Sequence, residues 1–185
     1  MDRIAIISDV HANITALESV IKDIENRGIK HIYCLGDSVL KNSNPDLVID
    51  LLREKCEVMI KGNSDEAVCK PGMQPGRFWT RDLIGEERAD YLYNLPVFYD
   101  FYMSGYLIRL FHASPFDLDY VFNPMFSNEN TIYSNRELKD GLKLFENTDF
   151  IGKTENDPIP DMVGYGHLHT PNIFRIKNKT IFNPR

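Results

Sequence analysis

The sequence predicts an α/β fold in which a parallel sheet carries polar residues to one edge. Two observations lead there. Apolar, β-branched runs alternate with segments of helical period from Ile4 to Ile60, and each run ends in residues able to hold a cation: Asp9 and His11, then Asp37, then Asn63. A βαβαβ alternation implies parallel strands, and open α/β sheets place their ligands at the carboxyl ends of those strands.

Ile4 to Asn13 reads IAIISDVHAN, a buried strand ending in a carboxylate and an imidazole two positions apart. In extended backbone, side chains at i and i+2 share a side, so Asp9 and His11 are placed to grip one cation. Taken alone, a turn aspartate beside a surface histidine explains the pair equally well. Ile14, Leu17, Val20, Ile21 and Ile24 then recur at helical spacing, with Thr15 and Glu18 at capping-box spacing and Gly28 as a stop. The second strand, Ile32 to Leu35, runs into Gly36-Asp37, and Asn44-Pro45 opens a helix with Leu47, Val48, Leu51 and Leu52 as its buried stripe. The third strand, Val58 to Ile60, leads to Lys61-Gly62-Asn63, where Gly36 and Gly62 suit sharp backbone turns.

From Pro71 to Pro96 the pattern is a Pro-Gly loop followed by helices through Phe78-Trp79 and Glu86 to Tyr93. Val97 to Met103 and Tyr106 to His112 flank Ser104-Gly105 as a hairpin, with His112 at the end of its second strand. Residues 113–134 read as a long loop able to cover a site. Asn135 caps a short helix reaching Phe145, with Leu138, Leu142 and Phe145 inward, and Gly152 to Pro160 reads as a mobile polar segment. Met162 to Tyr165 is a strand entering Gly166-His167-Leu168-His169, followed by antiparallel strands over Asn172 to Ile176 and Thr180 to Phe182.

With 43% apolar and 26% charged residues, the 185-residue chain has the balance of one soluble domain over residues 1–185. A formal net charge of -6 argues against a broad basic surface, so large nucleic acids are not expected as substrates. Three cysteines without metal-type spacing, Cys34, Cys56 and Cys69, suggest reduced thiols and a cytoplasmic protein. Met1-Asp2-Arg3 enters a short apolar run directly, which fits neither a signal peptide nor a membrane span. The oligomeric state is not readable from the sequence.

Four of the five histidines, His11, His112, His167 and His169, follow strand-like runs and are ligand candidates, whereas His31 at a strand start reads as a surface residue. The blocks SDVHAN, LGDSV, KGNSDE, FHASP and GYGHLHTP, in that order, resemble the signature of the calcineurin-like metallophosphoesterases, especially their compact bacterial and archaeal phosphodiesterases. The resemblance covers nearly the whole chain. It implies a four-layer α/β/β/α sandwich of two mixed β-sheets flanked by helices, with a dinuclear site at the sheet edge. Asp9, His11 and His169 would hold one metal, Asn63, His112 and His167 the other, and Asp37 would bridge both. Mixed imidazole and carboxylate ligands suit Mn, Fe, Zn or Ni, with Mn the leading expectation.

The implied activity is metal-dependent hydrolysis of a small phosphoester, foremost a phosphodiester, by in-line attack of metal-activated hydroxide on phosphorus, with Asn63, His112 and Asp37 at the reacting centre. Alternatives are a nucleotide or dinucleoside polyphosphate hydrolase, a protein phosphatase, or a catalytically weak protein-binding scaffold. Many relatives carry histidine after the metal-binding asparagine, where it aids phosphate binding and leaving-group protonation. Here Ser64 stands there, followed by Asp65 and Glu66. Trp79 reads as a packed tryptophan and Arg81 as an exposed helix arginine, both outside the site. The ending Asn183-Pro184-Arg185 departs from relatives that continue with Gly-Ser and further strands, and the expectation from the resemblance is a domain short of those C-terminal strands.

Overall fold

The computed structural model describes residues 3–70, 72, 74–120, 135–147 and 152–184. The expectation of a covering loop over residues 113–134 therefore lies outside the described residues for 121–134, as do those for the Leu138 side chain and Arg185.

β1 (Ile4–Ile7), α1 (Ile14–Asn26), β2 (His31–Cys34), α2 (Pro45–Lys55) and β3 (Val58–Met59) form the expected βαβαβ unit. Its three strands are parallel in the order β1-β2-β3, with Ile4 opposite His31 and Tyr33 opposite Val58. α3 (Asn63–Cys69), one 3-10 turn at Pro75–Arg77 and α4 (Phe78–Tyr93) follow. The second sheet comprises β4 (Phe98–Met103), β5 (Tyr106–Phe111), β6 (Met162–Gly164), β7 (Asn172–Ile176) and β8 (Lys179–Asn183), with α5 (Asn135–Lys143) between β5 and β6 in sequence. Its spatial order is β4-β5-β6-β8-β7, antiparallel at both ends and parallel in the middle. Ser104 and Gly105 both take positive φ, 51° and 85°, the two-residue turn that matches strand twist in a hairpin.

Three apolar layers hold four structural layers together. Leu17, Ile21 and Ile24 of α1, Val48, Ile49 and Leu52 of α2, and Ile84, Ala89 and Leu92 of α4 pack on the first sheet through Cys34 and Met59. Between the sheets, Tyr33, Leu35 and Ile60 meet Ile108 and Leu110, and Phe101 stacks on Tyr33 with ring centres 5.0 Å apart. Outside the second sheet, Phe111, Val163, Tyr165, Ile176 and Ile181 pack with Leu144 and Phe145. The period of two along β5 sends Ile108 and Leu110 to one layer and Phe111 to the other. Each fully buried aliphatic or aromatic side chain contributes about 1.5–3 kcal/mol relative to exposure.

Local expectations are corrected at several points. α1 begins two residues earlier than the capping-box spacing suggests, because Asn13 is the N-cap and its Oδ1 accepts the Ala16 N–H at 3.1 Å. In α2 the buried stripe is Pro45, Val48, Ile49 and Leu52, spaced i, i+3, i+4, i+7, which leaves Leu47 49% exposed. α4 breaks its helical geometry at Gly85, φ 72°, and Trp79 is 59% exposed instead of packed. Gly152 to Pro160 is anchored: Asn147 Nδ2 donates to the Asp157 carbonyl at 2.7 Å, and Lys153 Nζ lies 2.8 Å from Asp100 Oδ2. His31 is exposed and pairs with Glu57 at 2.6 Å, as the surface reading has it.

Arg109, on the outer face of β5, is fully buried, a placement no sequence pattern announced. Its guanidinium donates to both oxygens of Asp100 at 2.8 and 3.0 Å, to the Glu146 carbonyl at 3.0 Å and to Asn147 Oδ1 at 2.7 Å. Burial pushes the Asp100 carboxyl up, but the hydrogen bonds from Arg109 and Lys153 outweigh it and hold the group below the usual carboxylate range. Breaking a buried pair strands the remaining charge, so Asp100→Ala should cost about 3–5 kcal/mol in urea unfolding at neutral pH. Because the folded carboxyl titrates lower than the unfolded one, its contribution is present above the unfolded value and is lost as pH falls below about 4. The wild-type advantage over Asp100→Ala should shrink across that window, and an advantage constant from neutral pH to acid would contradict the pairing.

Candidate metal centre

The loops after β1, β2, β5 and β6 and the start of α3 meet at the junction of the two sheets. β1 stops at Ile7, and Asp9, His11 and Ala12 adopt left-handed backbone, φ 55°, 49° and 59°. Asp9 and His11 therefore converge through a tight turn and not through extended alternation. Asp37, His167 and His169 are left-handed too, φ 55°, 65° and 54°. Non-glycine residues seldom hold such angles unless their surroundings impose them, at about 1–3 kcal/mol each. Here backbone lacing imposes them: Asp9, His11 and Ala12 N–H donate to the carbonyls of Gly36, Asp37 and Ser38 at 3.0, 2.9 and 2.7 Å.

These turns collect the predicted residues into two overlapping groups, Asp9–His11–His169 and Asp9–Asp37–His112, whose ligand atoms lie within 4.8 Å of one another. Asn63 Oδ1 and His167 Nδ1 approach His112 Nε2 at 3.0 and 3.3 Å. Asp9 is common to both groups, whereas the sequence reading gave it to one and made Asp37 the shared carboxylate. Asp37 spans the two sides nonetheless, with Oδ2 3.5 Å from His11 Nε2 and Oδ1 3.4 Å from His112 Nε2.

The donor set is arranged for a cation. His11 Nδ1 faces the Val39 carbonyl at 3.1 Å and His112 Nδ1 the Leu35 carbonyl at 2.8 Å. A carbonyl only accepts, so this network assigns each Nδ1 as the N–H and leaves the Nε2 lone pairs directed into the centre. His11 Nε2 takes the Lys41 ammonium at 2.8 Å with His169 Nε2 3.2 Å away, and His112 Nε2 faces the acceptor Asn63 Oδ1 at 3.0 Å. Burial lowers the His11 and His167 imidazoles below their ordinary value, with the hydrogen bond to Val39 opposing it at His11 and His112 reinforcing it at His167. Neutral imidazoles are what metal ligation requires. Asp9 Oδ1 is buried without a hydrogen bond, since His169 Nε2 sits 3.2 Å away outside bonding geometry. Opposed lone pairs and an orphaned carboxylate oxygen fit a divalent ion.

Two residues absent from the sequence-predicted site build its frame. Ser64 donates its N–H to Asp37 Oδ1 at 2.8 Å and its hydroxyl to Oδ2 at 2.7 Å. Asp65 is fully buried and accepts the N–H groups of Asp37, Ser38 and Gly62, each at 2.9 Å. Burial and the neighbouring Asp37 charge push the Asp65 carboxyl up to about 7, while the backbone donors pull it down. The signal available was positional: an acidic residue three after Gly62 at the start of a helix, the spacing of a capping box. Gly62 itself admits no side chain, because a Cβ would overlap Asp37 N and Oδ1. Arg81 stays outside, paired with Glu86 at 2.5 Å.

The chain belongs to the calcineurin-like phosphoesterase superfamily, whose domain model matches residues 2–184. An uncharacterised protein of Methanocaldococcus jannaschii is 36% identical over 120 residues, 60% of this chain and 49% of that protein, so the chain spans about half the length of the curated relative it matches. A metallophosphoesterase from Sphaerobacter thermophilus has a similar structure, with TM-score 0.68 and 23% identity over 98% of this chain and 75% of that one. A structure described as a novel archaeal phosphodiesterase gives TM-score 0.52 and 16% identity, covering 98% and 82%. At such identities the structural likeness shows the fold.

Asp65→Ala would strand three buried backbone N–H groups, at about 1–3 kcal/mol each. Urea unfolding should record a loss of about 3 kcal/mol or more, and a loss below about 1 kcal/mol would mean that solvent or another group satisfies those donors.

Proposed function

We propose that the chain is a metal-dependent phosphoesterase that hydrolyses a small phosphodiester at this centre. The observation that carries the reading is the set of inward lone pairs: His11 and His112 fixed by carbonyls, with the unbonded Asp9 Oδ1 beside them. Asp9, His11 and His169 would hold one divalent ion, Asn63, His112 and His167 a second, and Asp37 would lie between them. The ligand types suit manganese, with iron, zinc or nickel as alternatives. When bound, two such ions supply Lewis acidity that activates water and neutralises charge on the phosphoryl oxygens.

The protein's own part is orientation and exclusion. Ser64 and Asp65 keep the Asp37 carboxylate and its turn from rotating, and the Val39 and Leu35 carbonyls keep two imidazoles in the ligating tautomer. Neither Ser64 nor Asp65 is available to protonate a leaving group: the serine hydroxyl is bonded to Asp37, and both Asp65 oxygens are taken by backbone donors. A departing oxygen then leaves without help from residues 64 and 65, which favours substrates with acidic leaving groups. All three cysteines are free, which suits a reducing compartment such as the cytoplasm. No helix among the described residues is long and apolar enough to cross a membrane.

Elemental analysis after manganese reconstitution should find close to two ions per chain, and Asp37→Asn should weaken both, because its carboxylate would balance charge on the pair. His169→Ala should first weaken one. Saturation at one ion or none, with hydrolysis of bis(4-nitrophenyl) phosphate unaffected by a chelator, would overturn the dinuclear reading.

Across phosphodiesters graded by leaving-group acidity, the wild-type rate should fall steeply as the leaving group becomes more basic, since general acid assistance is worth about 10²–10⁴-fold. A flat dependence with chemistry rate-limiting would show that another residue supplies the proton.

A further inference from the structure

We infer that the end of the molecule opposite the metal centre carries a second binding site, one that takes the base of a guanine nucleoside. The layer between the sheets opens there as a cleft of about 390 Å³, lined in part by Arg3, Ile4, Tyr33, Glu57, Phe101 and Met103. β1 and β2 start at this cleft and run to the turns that carry Asp9 and Asp37, so the length of both strands separates the two sites. β4 runs the other way, from Phe98 beside the end of β5 to Met103 at the cleft. A cleft of this volume admits a small planar ligand.

One wall is aromatic and the polar groups around it differ in what they offer. Tyr33 and Phe101 lie 5.0 Å apart between ring centres at an angle of 12°, and Tyr99 stands 5.9 Å from Phe101 at 23°. A further flat ring extends such a set by offset stacking. Tyr33 is 5% exposed, and among the described residues its hydroxyl has no hydrogen-bond partner. Burial, then the Glu57 charge, pushes this phenol above its ordinary value, so it stays a donor at neutral pH. A nine-tenths buried hydroxyl without a partner in its own chain is open to an acceptor on a ligand. Glu57 is engaged by His31 Nδ1 through Oε2 at 2.6 Å, which leaves Oε1 and further lone pairs to accept. Arg3 spends an Nη2 N–H on the Arg27 carbonyl at 2.9 Å and keeps its remaining donors.

A carboxylate calls for neighbouring N–H donors, whereas a guanidinium and a phenol call for acceptors. Guanine has both on one flat ring, the N1–H and N2 amino group as donors and O6 and N7 as acceptors. Adenine brings one amino group among ring acceptors and leaves the carboxylate half matched. Stacking by itself holds every base alike, so Glu57, with Arg3 and Tyr33 facing the other edge, is what selects among them.

Metal-free protein and guanosine, which carries no phosphate, keep the metal centre out of the test. Titration followed by amide-shift NMR should show saturable binding, with perturbations at Tyr33, Glu57 and Phe101 and none at His112 or His167. Glu57→Gln should weaken guanosine about tenfold, the loss of one charge-assisted hydrogen bond, and adenosine should bind the wild type weaker by a similar factor. Tyr33→Phe, which removes the hydroxyl alone, should weaken guanosine severalfold. Both variants keep the aromatic wall, and their thermal unfolding should match that of the wild type. Equal affinity for guanosine, adenosine and 4-methylphenol would reduce the cleft to an apolar dent and overturn the proposal. Guanosine binding unchanged in both variants, perturbations confined to the metal centre, or no saturable binding would overturn it as well. None of these results bears on the metal-centre reading, which stands or falls on manganese uptake.

Discussion

A buried negative charge in a left-handed turn is the constraint around which this molecule is arranged. Asp37 is 4% exposed at φ 55°, and its carboxylate is held at one end by the start of α3 through Ser64. Its own N–H is held by Asp65, whose carboxylate also ties Ser38 and Gly62. An uncompensated buried carboxylate is costly, and each of these donors offsets part of that cost. The loops after β2 and β3 thereby become one unit, and the turn after β1 is laced to it by three backbone hydrogen bonds. The second sheet joins through the Leu35 carbonyl, which receives His112 from the end of β5.

The stability of the site is therefore borrowed from the layers beneath it. Left-handed angles at Asp9, His11, Asp37, His167 and His169 are unfavourable in isolation. Leu35 and Ile60, both fully buried between the sheets, anchor the chain immediately before two of the turns. Gly36 and Gly62 let those turns touch, since a Cβ on either would strike the other strand's backbone. Packing of ordinary apolar side chains thus supplies the free energy that holds an unfavourable polar arrangement.

Much of this could be read in the sequence. Strand runs ending in Asp9, Asp37 and Asn63 carried the parallel first sheet, and Ser104-Gly105 marked the hairpin, because hydrophobic period and turn chemistry are local signals. The residues singled out as ligands are those the structure gathers at the sheet junction, although through left-handed turns and with Asp9 shared between two groups. What was hidden depends on tertiary context. Arg109 lies inside a β-strand that reads as apolar, and its burial is explicable only once Asp100 and Asn147 arrive from other parts of the chain. Ser64 reads only as the residue in place of the relatives' histidine, with Asp65 after it, and their hold on the Asp37 turn emerges once α3 is seen to start at Asn63. Leu47 and Ile49 exchanged roles because a stripe of width two admits more than one phase until a partner surface selects it.

β1 has a further consequence. Among the described residues it pairs with β2 alone, its four residues are all half-buried, and beside it runs a groove of about 360 Å³ lined in part by Ile6, Ile7, Val10, Leu17 and Val20. The strand that delivers Asp9 and His11 is thus a margin of its sheet, with amides on one flank unpaired by any described strand. Sheet margins open at lower free energy than sheet centres. Two of the seven candidate ligands are consequently mounted on a margin of the first sheet, so that occupancy of the centre and order of the strand become one coupled equilibrium. Whatever binds Asp9 and His11 also acts as a clamp that fastens the sheet's outer strand to its neighbour.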